Sequence, residues 1–340
     1  MKTRACIKAV ASYLPAGTLT NEQLAAELGD WDAAKILEKT GVAVRHVAAP
    51  DECASDLGVG AARRLFESGA CSPPDIDFLL FCTQSPDYVL PTTSCLMQER
   101  LGLRTDCGAL DFNQGCSGYV YGLAAAKGLI ESGAARHVLL VTAETYSKYI
   151  NPRDRGVRTI FGDGAAATLV SGVESGEELL GPFVFGTDGR GACNLIVPAG
   201  GARRAGAPGS VAASGGEGEE WRAAGDLFMN GPEIFNFTLQ SVPRAASALL
   251  EKAGVAQEEV DLFVLHQANK FMLERLRTKM KVPAERFWID MESCGNTVSS
   301  TIPIALEAAK AAGRLRPGAR AALVGFGVGY SWAAALMRAA

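Results

Sequence analysis

Ile76-Asp77-Phe78-Leu79-Leu80-Phe81-Cys82 is an apolar run broken by one acid, and Val260-Asp261-Leu262-Phe263 opens in the same way 184 positions further on. Runs of this length and composition read as buried strands. Ala135-Arg136-His137-Val138 finds Ala319-Arg320-Ala321-Ala322 at the same offset, and Asp111, closing a strand over Cys107–Phe112, finds Asp290 in Phe287-Trp288-Ile289-Asp290 at an offset of 179. Strand starts repeated at one offset imply duplication: two similar α/β units packed about an internal pseudo-twofold axis. Between the strands lie helical patterns. Ser94–Leu101 follows the first run, and Ser117–Ser132 has Ala, Leu, Gly and Ile at helical spacing and stops at Gly133; His137–Thr142 then returns to strand. Strands alternating with helices require crossover connections and a mostly parallel sheet. The expected halves are residues 1–172 and 173–340, with Ala199–Glu220, dense in Gly, Ala, Ser and Pro, as a surface connection.

Composition narrows the function. The 340 residues are 48% hydrophobic, enough for a large core, and 33 Lys+Arg against 37 Asp+Glu give a net charge of −4. Phosphate backbones demand clustered cations, so nucleic acid is not expected as a partner. No apolar run approaches the roughly 20 residues of a membrane span; Val138–Ala143 is strand-length. Met1-Lys2-Thr3-Arg4 leads into a short strand ending at Pro15, without the apolar stretch of a signal peptide, which points to the cytoplasm. Nine scattered cysteines are an odd set that does not suggest a disulfide framework. With no Cys-x-x-Cys and only His46, His137 and His266, no metal is expected.

Chemistry concentrates at strand ends. In Asp111-Phe112-Asn113-Gln114-Gly115-Cys116-Ser117-Gly118-Tyr119 a strand ends, a turn containing glycine follows, and a long apolar helix begins. Cys116 therefore stands near a helix N-terminus, where free N–H groups and the positive end of the dipole favour a thiolate and can hold an oxyanion. His266 ends the second-half strand, at the position matching Cys82. The carboxyl ends of strands are where α/β sheets place their sites. His137 and His46 read as satisfied structural residues. Asn296, in Cys294-Gly295-Asn296-Thr297, can cap its turn or offer an amide donor. Gly325-Phe326-Gly327-Val328-Gly329-Tyr330-Ser331-Trp332 joins two apolar strands, and its glycines permit a plain hairpin or a close backbone approach to a ligand. It is no Walker loop, because no Gly-Lys-Ser/Thr follows.

Taken together, Cys116 in Gly-Cys-Ser-Gly, His-Gln-Ala-Asn at 266–269, Gly-Asn-Thr at 295–297, Phe161-Gly162-Asp163-Gly164-Ala165 and the Gly325–Trp332 loop resemble a β-ketoacyl-acyl-carrier-protein synthase III, a condensing enzyme of the thiolase fold. The likeness runs from Ala9–Pro15 through Thr40-Gly41-Val42 and Arg45-His46 to the C-terminus. It implies an α-β-α-β-α arrangement, a homodimer, acyl-CoA and acyl carrier protein as partners, no cofactor, and a Cys116–His266–Asn296 triad. By the same resemblance, Cys116 takes an acyl group and malonyl carrier protein loses CO₂. The enolate oxygen meets Nε2 of neutral His266 and the Asn296 amide, and the oxyanion of the attacked thioester rests on the N–H groups of Cys116 and Val328. Phe326 is the aromatic gate beside the sulfur, and Gly327 and Gly329 line the substrate.

Departures from the pattern bear on the substrate. Lys35 stands where the family stacks a Trp on adenine, with Arg155 in Asp154-Arg155-Gly156 as the other face of that clamp. Phe271 replaces a cation that faces the carrier protein, with Lys270 beside it, and Asn236 follows Phe235 in place of a Lys. Leu90 stands where a bulkier Phe limits acyl length across the dimer. These changes suggest a larger starter or a specialised pathway. Other enzymes of the fold fit less well: a degradative thiolase wants a second Cys in the glycine loop, a plant-type polyketide synthase wants His-Pro-Gly, and a hydroxymethylglutaryl synthase wants a Glu acid, for which Glu144 is the nearby candidate. An acyltransferase delivering to an alcohol or amine is the main alternative. A non-catalytic partner subunit would be expected to lose the nucleophile.

Overall fold

The computed structural model describes residues 2–29, 31–205 and 223–340; most of the expected 199–220 connection, residues 206–220, lies outside them. The first half contributes β1 (Lys2–Tyr13), β2 (Gly17–Thr20), β3 (Val44–Val47), β4 (Phe78–Cys82), β5 (Gly108–Phe112), β6 (His137–Glu144) and β7 (Gly164–Ser175). The second contributes β8 (Leu180–Thr187), β9 (Leu195–Ile196), β10 (Phe228–Met229), β11 (Leu262–Leu265), β12 (Phe287–Trp288), β13 (Arg320–Gly327) and β14 (Ser331–Arg338). One sheet runs β1-β7-β6-β4-β5; the other, read from its corresponding edge, runs β8-β14-β13-β11-β12. The orders are identical, so the duplication is real. The boundary expected after residue 172 falls inside β7 and moves to the turn between Ser175 and Leu180, because a strand already paired into the first sheet cannot be divided.

Register corrects two of the sequence matches by one residue. Phe78 lies opposite Val138, whereas Leu262 lies opposite Ala321. The offset of 184 that relates β4 to β11 therefore drops to 183 for β6 and β13. Phe81 lies opposite Asp111, and Val264 lies opposite Trp288, so Asp111 corresponds to Ile289 and not to Asp290. From β4 to β6 the second half is one residue shorter, whereas from β4 to β5 it is six shorter, where the match of Asp111 with Asp290 allows for five.

Strand alternation sorts side chains into layers. Leu80 of β4 with Leu262 and Val264 of β11 faces a central layer formed by α5 (Gly118–Glu131) and α9 (Thr301–Ala311). Leu79 and Phe81 face outward onto α3 (Ala54–Glu67) and α4 (Thr93–Arg100), and Phe263 and Leu265 face outward onto α7 (Gly231–Ala253) and α8 (Lys270–Met280). The five layers alternate α-β-α-β-α as expected. Tyr119, Val120, Leu123 and Ile130 of α5 are all buried, which explains a helix sequence whose only charges are the paired Lys127 and Glu131 near its end: it is packed between two sheets. Each fully buried Leu, Ile or Phe in these layers contributes roughly 1.5–3 kcal/mol. Beside the layers, α1 (Asn21–Leu28), α2 (Ala33–Thr40) and α6 (Arg155–Arg158) form a smaller group joined by the Arg158–Glu27 ion pair.

The two acids that begin the repeats do the same work. Asp77 Oδ2 accepts from the N–H groups of Arg136 (2.8 Å) and His137 (3.0 Å), and Asp261 Oδ2 accepts from Arg320 N–H (2.8 Å). Each carboxylate thus anchors the start of the neighbouring parallel strand. Asp77→Ala leaves those N–H groups without their acceptor, and urea unfolding at neutral pH is expected to show a loss of about 1.5–3 kcal/mol.

Candidate active site

The turn before α5 brings Cys116 against the β13–β14 connection. Ser117 has helical backbone angles (φ −87°, ψ −9°), so the cysteine stands just ahead of the first turn of the helix. A Cβ on Gly327 would lie 2.9 Å from both Cβ and Sγ of Cys116, and one on Gly325 would lie 2.7 Å from the Ser117 Cα. Closeness, not a plain turn, is what these glycines provide. The backbone N–H groups of Cys116 and Val328 lie near enough to the sulfur to favour its anion, and donors so placed can also hold an oxyanion. The sulfur is nevertheless no thiolate. Burial, followed by the nearby Glu144, pushes the thiol up to about 12, so the helix terminus that argues for ionisation in the sequence is outweighed by desolvation.

His266 follows β11, its N–H held by Val324 C=O (2.9 Å) and its ring edge-on to Phe326 at 5.3 Å. Nδ1 lies 2.7 Å from Thr301 Oγ1, and that hydroxyl donates onward to Val298 C=O (3.0 Å). With its proton committed, the Thr301 oxygen accepts from Nδ1–H, which leaves a lone pair on Nε2. Burial lowers the imidazole to about 3. The ring is therefore neutral with Nε2 as an acceptor, which alters the sequence-based expectation: Nε2 donates to an enolate only after taking up a proton.

Asn296 is oriented from both ends. Its Oδ1 accepts from Val298 N–H (2.9 Å), which turns Nδ2 toward His266 Nε2 and Ala268 C=O, each at 3.4 Å. Its own N–H donates to Ile160 C=O, and Gly162 N–H donates to its carbonyl. Gly295 is left-handed (φ 71°), and its Cβ position lies 2.9 Å from Ile160 O and 3.2 Å from Arg45 Cγ, so no larger residue fits. Arg45 is fully buried and backs this turn; it donates to Asn21 Oδ1 and to the carbonyls of Val42 and Thr159.

Cys116, His266, Asn296, Phe326 and Gly327 line one cavity of about 170 Å³, closed by apolar side chains including Ile234, Phe235 and Met272. Val328 reaches the sulfur through its backbone, and Gly329 lies in the connection beyond it. Lys35, Arg155 and Leu90 do not line the cavity. Lys35 lies exposed on α2, Arg155 opens α6 and donates to Leu28 C=O (3.2 Å), and Leu90 is exposed beside Tyr88 and Val89. His137 and His46 make local bonds to Ser171 and Pro15. Sequence reasoning does not reach Thr301 or Val298, it names Arg45 only as part of the family likeness and gives it no role, and it considers Glu144 only as a possible acid. Glu144 ends β6 fully buried, with burial pushing its carboxyl up to about 8. Among the described residues no group of His, Cys, Asp and Glu is placed to hold a metal ion, and no helix is long and apolar enough to cross a membrane.

A neutral thiol, a neutral imidazole with a free lone pair, an aimed amide and two backbone donors suit acyl transfer through sulfur. Comparison with known proteins agrees. Residues 110–189 match the family model of 3-oxoacyl-[acyl-carrier-protein (ACP)] synthase III, and residues 250–339 match that of its C-terminal region. The β-ketoacyl-[acyl-carrier-protein] synthase III of Caldanaerobacter subterraneus is 35% identical, covering 99% of this chain and 98% of that one, and synthase III 3 of Streptomyces coelicolor is 39% identical over 98% and 97%. Among solved structures, a 3-oxoacyl-(acyl-carrier-protein) synthase III superposes with a TM-score of 0.96 at 55% identity, covering 99% and 100%. The priming β-ketosynthase of the R1128 polyketide pathway does so with 0.85 at 30%, covering 99% and 97%.

Two outcomes follow from this geometry. Gly327→Ala is expected to slow covalent loading of Cys116 by roughly 10-fold or more, from at least about 1.4 kcal/mol of added crowding, as measured by intact mass after timed exposure to an acyl thioester. The second concerns pH. Because His266 stays neutral down to about 3 when folded and titrates near 6.5 when unfolded, the unfolded chain binds the extra proton first, and stability falls as pH drops from 6.5 toward 3. The loading rate is expected to show no acid limb near 6.5, and urea titrations of His266→Gln are expected to lose part of the acid slope of stability.

Proposed function

The chain belongs to the β-ketoacyl-[acyl-carrier-protein] synthase III family, an acyltransferase that condenses, and from that membership we propose how its own residues carry the reaction. As the Cys116 sulfur attacks an acyl thioester, its proton passes to the Nε2 lone pair of His266. The carbonyl oxygen is held by the N–H groups of Cys116 and Val328, and the donor thiolate leaves and takes a proton from solvent. A buried imidazole resists a lone positive charge, so the imidazolium is offset first by the charge on the attacked carbonyl and then by the malonyl carboxylate, which takes the place of the departed thiolate. Malonyl carrier protein then enters with its thioester carbonyl on Asn296 Nδ2–H and on the newly protonated Nε2. Loss of CO₂ leaves an enolate on those donors, its carbon attacks the acyl-Cys carbonyl, and the expelled sulfur recovers the proton from Nε2. The products are a 3-oxoacyl carrier protein, CO₂ and the free thiol of the donor, with neither metal nor redox cofactor consumed.

The observation that carries this reading is the Asn296 amide, pinned by Val298 so that its N–H groups face the ring nitrogen. Transfer to an alcohol or amine asks for a base but not for a second carbonyl-directed donor. The apolar wall fits a carboxylate-destabilising site, with Phe326 as the gate. The cavity is lined by Phe235, Phe271, Ile234 and Met272. With Leu90 in place of a bulkier residue, these support a starter larger than acetyl in a fatty acid or specialised pathway. A relative that primes a polyketide pathway is consistent with this. Lys35 and Arg155 are the residues we assign to the nucleotide end of an acyl-CoA; α2 meets α8 where Gly41 abuts Lys270, next to the cavity residue Phe271. We infer a homodimer in which a second copy covers the exposed Tyr88, Val89, Leu90 and Leu110, and a cytoplasmic setting in keeping with nine free cysteines.

Incubation with acyl-CoA followed by malonyl carrier protein is expected to give an acyl adduct on Cys116 and then stoichiometric CO₂. Asn296→Ala is expected to keep the adduct and to lose roughly 10²–10³-fold in CO₂ release. An adduct that passes to an amine or alcohol without CO₂ would overturn the condensing assignment.

A further inference from the structure

The pseudo-twofold axis gives the catalytic corner a counterpart. Ser117 and Ser300 precede α5 and α9 with nearly identical backbone angles (φ −87°, ψ −9° and φ −87°, ψ −7°), so Ser299 is the counterpart of Cys116. Glu144 and Gly327 are the last residues of β6 and β13, and so correspond. In the catalytic corner Gly327 leaves room for the sulfur. In the counterpart corner that room is taken by the Glu144 side chain, whose Oε1 accepts from Ser299 Oγ (2.8 Å) and whose Oε2 accepts from Gln84 N–H (3.0 Å) and Ser85 Oγ (3.2 Å). Ser85 is itself held by Thr145 N–H (2.9 Å).

Ser299 lies next to Val298, and Val298 serves both groups that face the malonyl carbonyl. Its N–H fixes Asn296 Oδ1, and its carbonyl takes the Thr301 hydroxyl on which His266 Nδ1 rests. We propose that Glu144 is a positioning residue for the carbon–carbon bond-forming half of the reaction: from the first half of the chain it clamps Ser299 and thereby holds the Val298 turn that aims Asn296 and His266. The clamp works in either protonation state, since the Ser299 hydroxyl donates to a carboxylate or accepts from the acid. Loading asks of this turn only that His266 offer its lone pair, whereas CO₂ release needs Asn296 and His266 aimed together at one carbonyl, so the second half-reaction depends on the turn more heavily.

The inference rests on the condensing assignment, and the experiment separates the two. Purified wild type, Glu144→Gln, Glu144→Leu and Ser299→Ala are compared for the rate of acyl loading on Cys116 from acyl-CoA and for CO₂ release from malonyl carrier protein. A carboxamide at 144 still accepts from Gln84 and Ser85 and donates to Ser299, so Glu144→Gln is expected to stay within about 3-fold of wild type in both. Glu144→Leu and Ser299→Ala are expected to load within about 3-fold of wild type while releasing CO₂ at least 10-fold more slowly. Normal CO₂ release by Glu144→Leu, or an equal fall in both half-reactions, overturns the proposal. A wild type that loads but releases no CO₂ removes the condensing function itself, and this role with it.

Discussion

Everything at the catalytic corner depends on how near two backbones come. Gly325 and Gly327 let β13 pass within contact of Cys116 and Ser117, so a strand of the second half supplies the Val328 N–H to a sulfur of the first. A single methyl group there would part the halves. The duplication makes the approach possible because it sets α5 and α9 side by side between two sheets, each helix starting where the opposite sheet ends. Neither half holds the complete site; the nucleophile and the two donors come from different units and meet only once both sheets are packed.

That meeting place is dry, and dryness determines the charge states. A helix terminus stabilises an anion by only about 0.3–1 kcal/mol at a surface, whereas burial acts on every ionisable group here in the same direction, toward neutrality. The thiol, the imidazole and the Glu144 carboxyl are all shifted accordingly. Protons therefore move between uncharged partners, and charge appears only as bonds are made and broken. Such a site favours a reaction whose decisive step discharges a carboxylate into neutral CO₂.

The sequence makes Cys116, His266 and Asn296 legible because each follows a strand end, two of them directly after a glycine, and strand periodicity is a local signal. It exposes the duplication because strand starts keep their aspartates, though connections of unequal length in the two halves displace two of the matches by a residue. The thiol's ionisation is misread because the dipole is local while burial is tertiary. Glu144 reads as one acid closing an apolar strand, since its partner Ser299 is 155 residues away. Thr301 and Arg45 are hidden for the same reason: their roles consist of carbonyls and side chains drawn from distant segments. Lys35, Arg155 and Leu90 are of another kind, because the roles proposed for them concern a ligand or a second copy and not contacts within this chain.

Val298 carries the tension of the whole corner. A β-branched residue at φ 55° is in a conformation that non-glycine side chains avoid at a cost of about 1–3 kcal/mol, and it is held there by the bonds that aim Asn296 and His266. Glycine would relieve that torsion but would also remove a fully buried side chain from the core beside the site, a loss of at least similar size, so the valine is kept by its packing as well as by its bonds. Core packing and the aim of both donors are thus joined at one residue, and a change made at 298 for the sake of either is felt by the other.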